Sequence, residues 1–340
     1  MSSNNFNFSS LPPAFLEFLK NNNINPTIYS ITNLPRYILQ NQLGTKIWDV
    51  DGFKDFFGLN NNIIGIDLSS GVAVYALDIQ PNDHILDLCC APGAKLCMIS
   101  NILAGDNKGF GTITGVDISQ NRLSTCRSLI KKHKINRARL FLADGTNFNV
   151  YAPCNLKYFK KILNIIEDEK DDDDEKKTKQ QSKDDIIKPF YSPKIFRNDQ
   201  QIKDPRYLYD KVIVDAECTH DGSIVHILKK NLLKNGWELL KPGGILVYST
   251  CSLTRKQNEE IIEWFLLQNK ERNAVLEQIP NIENMKTVTP LPITTPTDDD
   301  NNRLKNINNI INLSKTVRFD PIHSNTSGFF VARLRKKTVD

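Results

Sequence analysis

The chain contains no apolar run approaching the roughly 20 residues that a membrane span requires. Its first residues, Met1-Ser-Ser-Asn-Asn-Phe6, show no basic stretch followed by an apolar block. The expectation is a protein that neither crosses a membrane nor is secreted. Its seven cysteines, at 89, 90, 97, 126, 154, 218 and 251, are odd in number and include no C-x-x-C pair. That excludes the usual zinc and dithiol motifs and points to reduced thiols inside a cell.

At 340 residues and 40% apolar content, there is enough chain for one large domain or two small ones with an ordinary core. The net charge of +5 conceals an asymmetry. Residues 167–185 hold ten acids against five bases, a local −5, so the rest carries +10. A basic folded part fits a polyanionic partner such as nucleic acid.

Residues 1–10, rich in Asn and Ser, read as a disordered tail. Residues 11–80 read as a small N-terminal RNA-binding or cap region, opening with a proline-led helix at Leu11-Pro-Pro-Ala-Phe-Leu-Glu-Phe-Leu-Lys20. Residues 33–41 read as a loop or strand, residues 45–62 carry no pattern that decides between helix, strand and loop, and a short helix is expected at 72–77. From 81 to the end the pattern changes. Strands are expected at 84–90, 112–118, 139–143, 211–216 and 245–250, and helices at 94–104, 119–134, 223–240 and 256–270. Regular β-α-β alternation with fully apolar strands predicts an α/β fold with a doubly wound, mostly parallel sheet. Two late strands, 274–279 and 328–334, complete a seven-stranded sheet and are expected to pair antiparallel at one edge. Two polar stretches, about 152–206 and 284–316, read as disordered insertions; the first contains the acidic run Glu167-Asp-Glu-Lys-Asp-Asp-Asp-Asp-Glu175.

The stretch around which the chain is organised is Asp87-Leu-Cys-Cys-Ala-Pro-Gly-Ala-Lys95. It is a strand end, a tight turn and a helix start, the arrangement in which unpaired backbone N–H groups meet a small anionic or polar ligand. Strand two ends in Gly115-Val-Asp117, and an acid there suits the two hydroxyls of a ribose. Strand three ends in Ala143-Asp144, where an acid can accept an adenine amino group. Taken singly, Asp117 could equally be a helix N-cap. The turn lacks both G-x-G-x-x-G and G-x-x-x-x-G-K-S/T, which counts against a dinucleotide and a nucleoside triphosphate. S-adenosylmethionine, an adenosine joined to a zwitterionic amino acid without phosphates, fits better.

Strand four ends in Asp215-Ala-Glu-Cys218 and strand five in Tyr248-Ser-Thr-Cys251, so two cysteines lie at neighbouring strand ends beside that crevice. A thiolate, an acid and a methyl donor point to one reaction. Carbon 5 of cytosine is a poor nucleophile until a thiolate adds to carbon 6 and makes an enamine. Nitrogen 3 must then be protonated or hydrogen-bonded, which an acid provides.

Asp87-Leu-Cys-Cys-Ala-Pro-Gly-Ala-Lys95, Val116-Asp-Ile-Ser-Gln-Asn-Arg122, Asp215-Ala-Glu-Cys218 and Leu240-Lys-Pro-Gly-Gly-Ile-Leu-Val-Tyr-Ser-Thr-Cys-Ser252 resemble the motifs of RNA cytosine-5 methyltransferases of the Sun/Fmu (NOL/NOP/Sun) family. Gly328-Phe-Phe-Val-Ala-Arg-Leu334 resembles that family's closing strand. The resemblance implies a class I S-adenosylmethionine-dependent methyltransferase of Rossmann-like fold. It implies Cys251 as nucleophile, Cys218 as the residue assisting product release and Asp215 at the base edge. It also implies cofactor contacts at Cys90, Ala91, Pro92, Gly93, Ala94, Lys95, Asp117, Arg122 and Asp144, with the donor sulfonium near Asp215. The implied partner is a tRNA or rRNA, the implied unit a monomer, and the implied place the nucleus, nucleolus or cytoplasm.

Three departures stand out. Glu217 replaces the family's usual proline, Thr219-His220-Asp221-Gly222 replaces Ser-Gly, and the stretch from 223 to 241 is short. They keep open an alternative: a methyltransferase-like RNA-binding or ribosome assembly factor with weak or no turnover. A methyltransferase acting on protein or a small molecule is the third reading.

Overall fold

Two proline-led turns open the folded chain. α1 (Pro13–Asn21) begins at a proline, whose missing N–H costs nothing in a first helical turn. A 3-10 turn (Pro26–Ser30) follows, capped by Asn25, which accepts a hydrogen bond from the Thr27 N–H. The rings of Phe15 and Tyr29 meet edge to face at 5.5 Å. β1 (Arg36–Gln40), β2 (Lys46–Val50) and β3 (Ile63–Gly65) then form a small antiparallel sheet in the order β2-β1-β3. The computed structural model describes residues 11–31, 34–40, 46–50, 63–105, 109–154, 187–196, 199–216, 222–269, 273–280, 282, 285, 287 and 312–338.

The main sheet is built from β4 (His84–Asp87), β5 (Thr112–Asp117), β6 (Ala138–Leu142), β7 (Tyr209–Asp215), β8 (Leu240–Thr250), β9 (Ala274–Glu277), β10 (Val317–Phe319) and β11 (Phe329–Lys336). Its order is β10-β11-β8-β7-β4-β5-β6, with β9 also paired to β11. The pairs β6–β5, β5–β4, β4–β7 and β7–β8 are parallel, whereas β11 runs antiparallel to β8, β9 and β10. The expected seven strands are present, and the two late ones pair antiparallel at one edge as read. The eighth, β10, has three residues, too short for an alternation signal.

Side chains alternate across the sheet. Ile245 and Val247 of β8 join Ile85, Ile113 and Ile213 in a core on one face. Leu246 and Tyr248 join Leu86, Val116, Val212 and Val214 on the other. The first face is covered by α2 (Leu68–Tyr75), α3 (Ala94–Gly105) and α4 (Gln120–Lys132). The second is covered by α5 (Gly222–Glu238) and α6 (Glu259–Gln268), through Leu232, Leu233, Trp237, Ile261 and Phe265. Both faces being covered explains why these strands read as continuous apolar runs. None of the described helices is long and apolar enough to cross a membrane.

Two boundaries differ from expectation. α2 falls within the expected cap at 11–80, but Val72, Ala73, Val74, Ala76 and Leu77 are buried in the main core. The Arg333 guanidinium also donates to the Ala76 carbonyl at 2.7 Å. An apolar helix has to bury its face somewhere, and the large sheet offers the area. Second, the expected disordered insertion at 152–206 is ordered in part. Tyr191 bridges to Leu140 on edge strand β6, and Arg139, 2% exposed, is ion-paired with Asp199. A buried arginine needs a paired acid, and an open strand edge needs a cover. The acidic run 167–175 and residues 1–10 lie outside the described residues, as does most of 284–316.

Candidate active site

β4, β7 and β8 end side by side, and the parallel register places Asp87 beside Ile213 and Asp215 beside Ser249. Beyond them lies a cavity of about 450 Å3. Ala91, Pro92 and Lys95 line it from the turn after β4, Asp215 and Ala216 from the end of β7, and Cys251 from the residue after β8. Arg122 of α4 and residues 327–329 complete the wall, together with Asp67, Ser69 and Ser70 at the start of α2. The volume suits a mid-sized organic ligand. A smaller recess of about 40 Å3 runs under the turn, lined by Asp87, residues 89–95 and Asp215.

Local chemistry holds the turn in shape. Gly93 sits at φ +113°, and a Cβ there would lie 2.8 Å from the Cys126 sulfur, so both conformation and space demand glycine. Asp117, buried at the end of β5, accepts the Ala91 N–H at 3.2 Å and the Ser119 N–H at 2.9 Å. Arg122 donates to the Ala91 carbonyl at 2.7 Å and lies 4.0 Å from Asp117. The cap of α4 is Ser119, not Asp117. The N-cap reading of Asp117 is thereby set aside: the acid braces the turn instead.

Asp215 is held between two donors. Lys95 Nζ lies 2.6 Å from Oδ2, and Ser249 Oγ donates to Oδ1 at 2.7 Å. Lys95 also reaches Ser70 Oγ at 3.3 Å and lies 5.1 Å from the centre of the Phe329 ring. Asp87 lies beneath. Its burial, followed by the charge of Asp215, raises its carboxyl to about 7.

The cysteines divide sharply. Burial pushes the thiols of Cys89 and Cys90 well above their usual range and that of Cys97 to about 12. Cys251 alone among the described cysteines is exposed. Its loop is braced by hydrogen bonds. The buried Asn258 accepts from Thr250 Oγ1 at 2.6 Å and donates to the Ser252 carbonyl at 2.8 Å. Arg318 donates to both oxygens of Glu259, at 2.5 and 2.6 Å, and to the Leu253 carbonyl at 2.9 Å. The first residues of the expected helix at 256–270 are taken by this anchoring, through a 3-10 turn at Arg255–Gln257.

The structure brings Ala91, Pro92, Lys95, Arg122, Asp215 and Cys251 to the main cavity, with Cys90, Gly93 and Ala94 around the recess and Asp117 behind the turn. Asp144 does not line either cavity; its carboxylate caps its own turn, accepting from the Thr146 N–H and hydroxyl at 2.8 Å. Cys218 lies outside the described residues. Sequence reasoning missed Ser249, Asp67, Phe329, Asn258, Glu259 and Arg318. Asp67 had a signal: it starts an apolar helix and accepts the Ser69 N–H as an N-cap, while its second oxygen accepts the Ser327 N–H.

Comparison with known proteins identifies the family and the fold. The family described as 16S rRNA methyltransferase RsmB/F matches residues 74–164 and 220–335. The multisite-specific tRNA cytosine-C5 methyltransferase trm4b of Schizosaccharomyces pombe is 24% identical over 312 residues, covering 76% of this chain. Human NSUN6, a tRNA cytosine-C5 methyltransferase, is 26% identical over 79% of this chain. The tRNA (cytosine(49)-C(5))-methyltransferase of Pyrococcus abyssi is 24% identical over 81% of it. The chain spans 40%, 52% and 70% of the length of these three relatives. Among solved structures, a methyltransferase homologue from Pyrococcus horikoshii aligns with a TM-score of 0.57 at 20% identity, covering 96% of this chain and all of the other. NSun6 from the same organism aligns at 0.52 and 19%, covering 86% of this chain and 57% of the other. The fold is that of the class I S-adenosylmethionine-dependent methyltransferases.

Proposed function

Because this chain belongs to the 16S rRNA methyltransferase RsmB/F family, which its sequence matches over most of its length, we propose that it methylates carbon 5 of a cytosine in tRNA or rRNA. The observation that carries the reading is the position of Cys251. It is an exposed thiol on a braced loop, at the mouth of the same cavity as Asp215 and the 91–95 turn.

S-adenosylmethionine fits the residues present. The turn, braced from behind by Asp117, offers helix-start N–H groups, Lys95 and Arg122 to a carboxylate, and Asp215 supplies an acceptor for positive charge. When bound, it supplies an electrophilic methyl group. The protein's own part is the activation of the base. The Cys251 thiolate adds to carbon 6, forming an S–C bond and making carbon 5 an enamine nucleophile. Asp215, positioned by Lys95 and Ser249, meets the base edge and delivers a proton to nitrogen 3, which neutralises the negative charge that thiolate addition brings to the ring. Cys218 assists release by taking the carbon 5 proton; that electron pair re-forms the carbon 5–carbon 6 double bond and expels the Cys251 thiolate, and nitrogen 3 returns its proton to Asp215. The reading takes one copy of the chain as the working unit and the nucleus, nucleolus or cytoplasm as its place.

The test is incubation with isotopically labelled methyl donor and total cellular RNA, followed by location of the label. Label on cytosine 5 in the wild type, absent in Cys251→Ala with cofactor affinity retained, is the expected outcome. The Cys218→Ala protein should accumulate an RNase-sensitive covalent adduct on a denaturing gel. RNA binding without transfer would instead support the assembly-factor alternative, and label on protein would support the third reading.

A further inference from the structure

The structure holds a second cavity, of about 180 Å3. The helical segment at the N-terminus supplies one side of it, through Asn23, Asn25 and Ile28. The turn after β10 supplies the other, through Asp320, Ile322 and His323. Leu253 is part of the wall. It is two residues from Cys251, a span of at most about 7 Å of chain. Its side chain also packs on Gly328, where a Cβ would meet Leu253 Cδ2 at 2.6 Å, and Gly328 lines the main cavity. The two cavities are therefore separated by little more than one leucine.

We propose that this second cavity seats one nucleobase of the RNA strand, that of a nucleotide next to the reacting cytosine; the inference rests on the RNA reading above. Three observations carry it. Size comes first: an apolar cavity of about 150 Å3 holds a benzene ring, so 180 Å3 takes one heteroaromatic ring and leaves sugar and phosphate outside. Lining comes second. Ile28, Phe319 and Leu253 offer an apolar face, while Asn23, Asn25 and Asp320 offer polar groups. That is the pattern of a base, apolar on its faces and polar at its edge. Charge comes third. Asp320 accepts the His323 N–H at 2.7 Å and Nδ1 at 2.8 Å, and a carboxylate beside the cavity disfavours phosphate there and leaves the seat to an uncharged ring. Arg318 lines the cavity too, but its guanidinium is engaged by Glu259 and the Leu253 carbonyl. A base seated here therefore rests against the loop that carries Cys251.

The experiment uses the full chain and short single-stranded RNA oligonucleotides with one central cytidine, randomised elsewhere, carrying 6-thioguanosine on one side or the other. Photo-crosslinking followed by peptide mapping is the first readout. Crosslinks from a nucleotide adjacent to the cytidine to the peptides containing 23–28 or 319–323 support the site. Crosslinks confined to other peptides, or none at all, overturn it. The second readout is Ile322→Trp, a rim residue 39% exposed, whose indole would plug the cavity. The variant should lose those crosslinks and bind the oligonucleotides about tenfold more weakly, the scale of one lost base contact, with cofactor affinity unchanged. Unchanged RNA affinity overturns the proposal. Methyl transfer is scored separately: crosslinks at this cavity without transfer would sink the catalytic reading and leave the base site standing.

Discussion

The Lys95–Asp215 pair faces the cavity, whereas the Arg318–Glu259 pair holds the loop that carries Cys251. The first is partly open to solvent, its side chains 14% and 24% exposed; the second is shut away at 7% and 0%. In the first, each charge keeps other neighbours, so either can turn to a ligand. In the second, the carboxylate is gripped by two guanidinium nitrogens and the arginine's remaining bond goes to a backbone carbonyl. An adaptable pair belongs where substrates arrive and reactions redistribute charge. A closed, bidentate pair belongs where a loop must not move.

Glu259→Gln should break that comparison most severely. Removing the charge leaves Arg318 buried without its counter-ion, a loss of about 3–5 kcal/mol readable in chemical denaturation. Gly93→Ala strikes the opposite wall, where a Cβ cannot avoid Cys126 and φ is unsuited to alanine. It should cost about 1–3 kcal/mol and weaken cofactor binding measured by calorimetry, while Cys251 keeps its reactivity toward a thiol reagent. Asp87 sharpens the contrast through pH. Folded, it holds its proton up to about pH 7; unfolded, it releases it near 3.8. Its contribution is fully present below 3.8 and is lost as pH rises through 7, with a slope of at most about 1.4 kcal/mol per pH unit. Denaturation midpoints of Asp87→Asn should lack that slope between pH 4 and 7. The smallest stability effect belongs to Lys95→Met, at about 1 kcal/mol or less for a partly exposed pair. Its methyl transfer should nonetheless fall sharply. A Lys95→Met protein as unstable as Glu259→Gln would dissolve the distinction.

The site was legible in the chain where its residues are close in sequence. Asp87 through Lys95 form one continuous segment, and Asp117 and Asp215 mark strand ends that period and composition reveal. Cys251 was legible for the same reason, as the first residue after a long apolar strand. Arg318 was not: it lies in a three-residue strand just after the polar stretch at 284–316, and its partner Glu259 is 59 positions away. Phe329 read only as part of the closing strand, with nothing to show that it would line the cavity beside Lys95. Asp144 shows the converse. Its place after strand three matched a binding pattern, but only the tertiary structure shows that its Oδ1 is taken by Thr146 of its own turn.

Local order was settled by the chain itself. Alternation of apolar strands and helices, the glycine turn and the position of each motif at a strand end follow from periodicity and backbone sterics, which act over a few residues. Which edge β9 and β10 join, that α2 belongs to the main core, that Tyr191 pairs with the edge of β6 and that Arg318 reaches the Cys251 loop were decided only in three dimensions. Those outcomes depend on which surfaces remain to be buried and which charges remain to be paired once the sheet has formed, and no stretch of sequence carries that information locally.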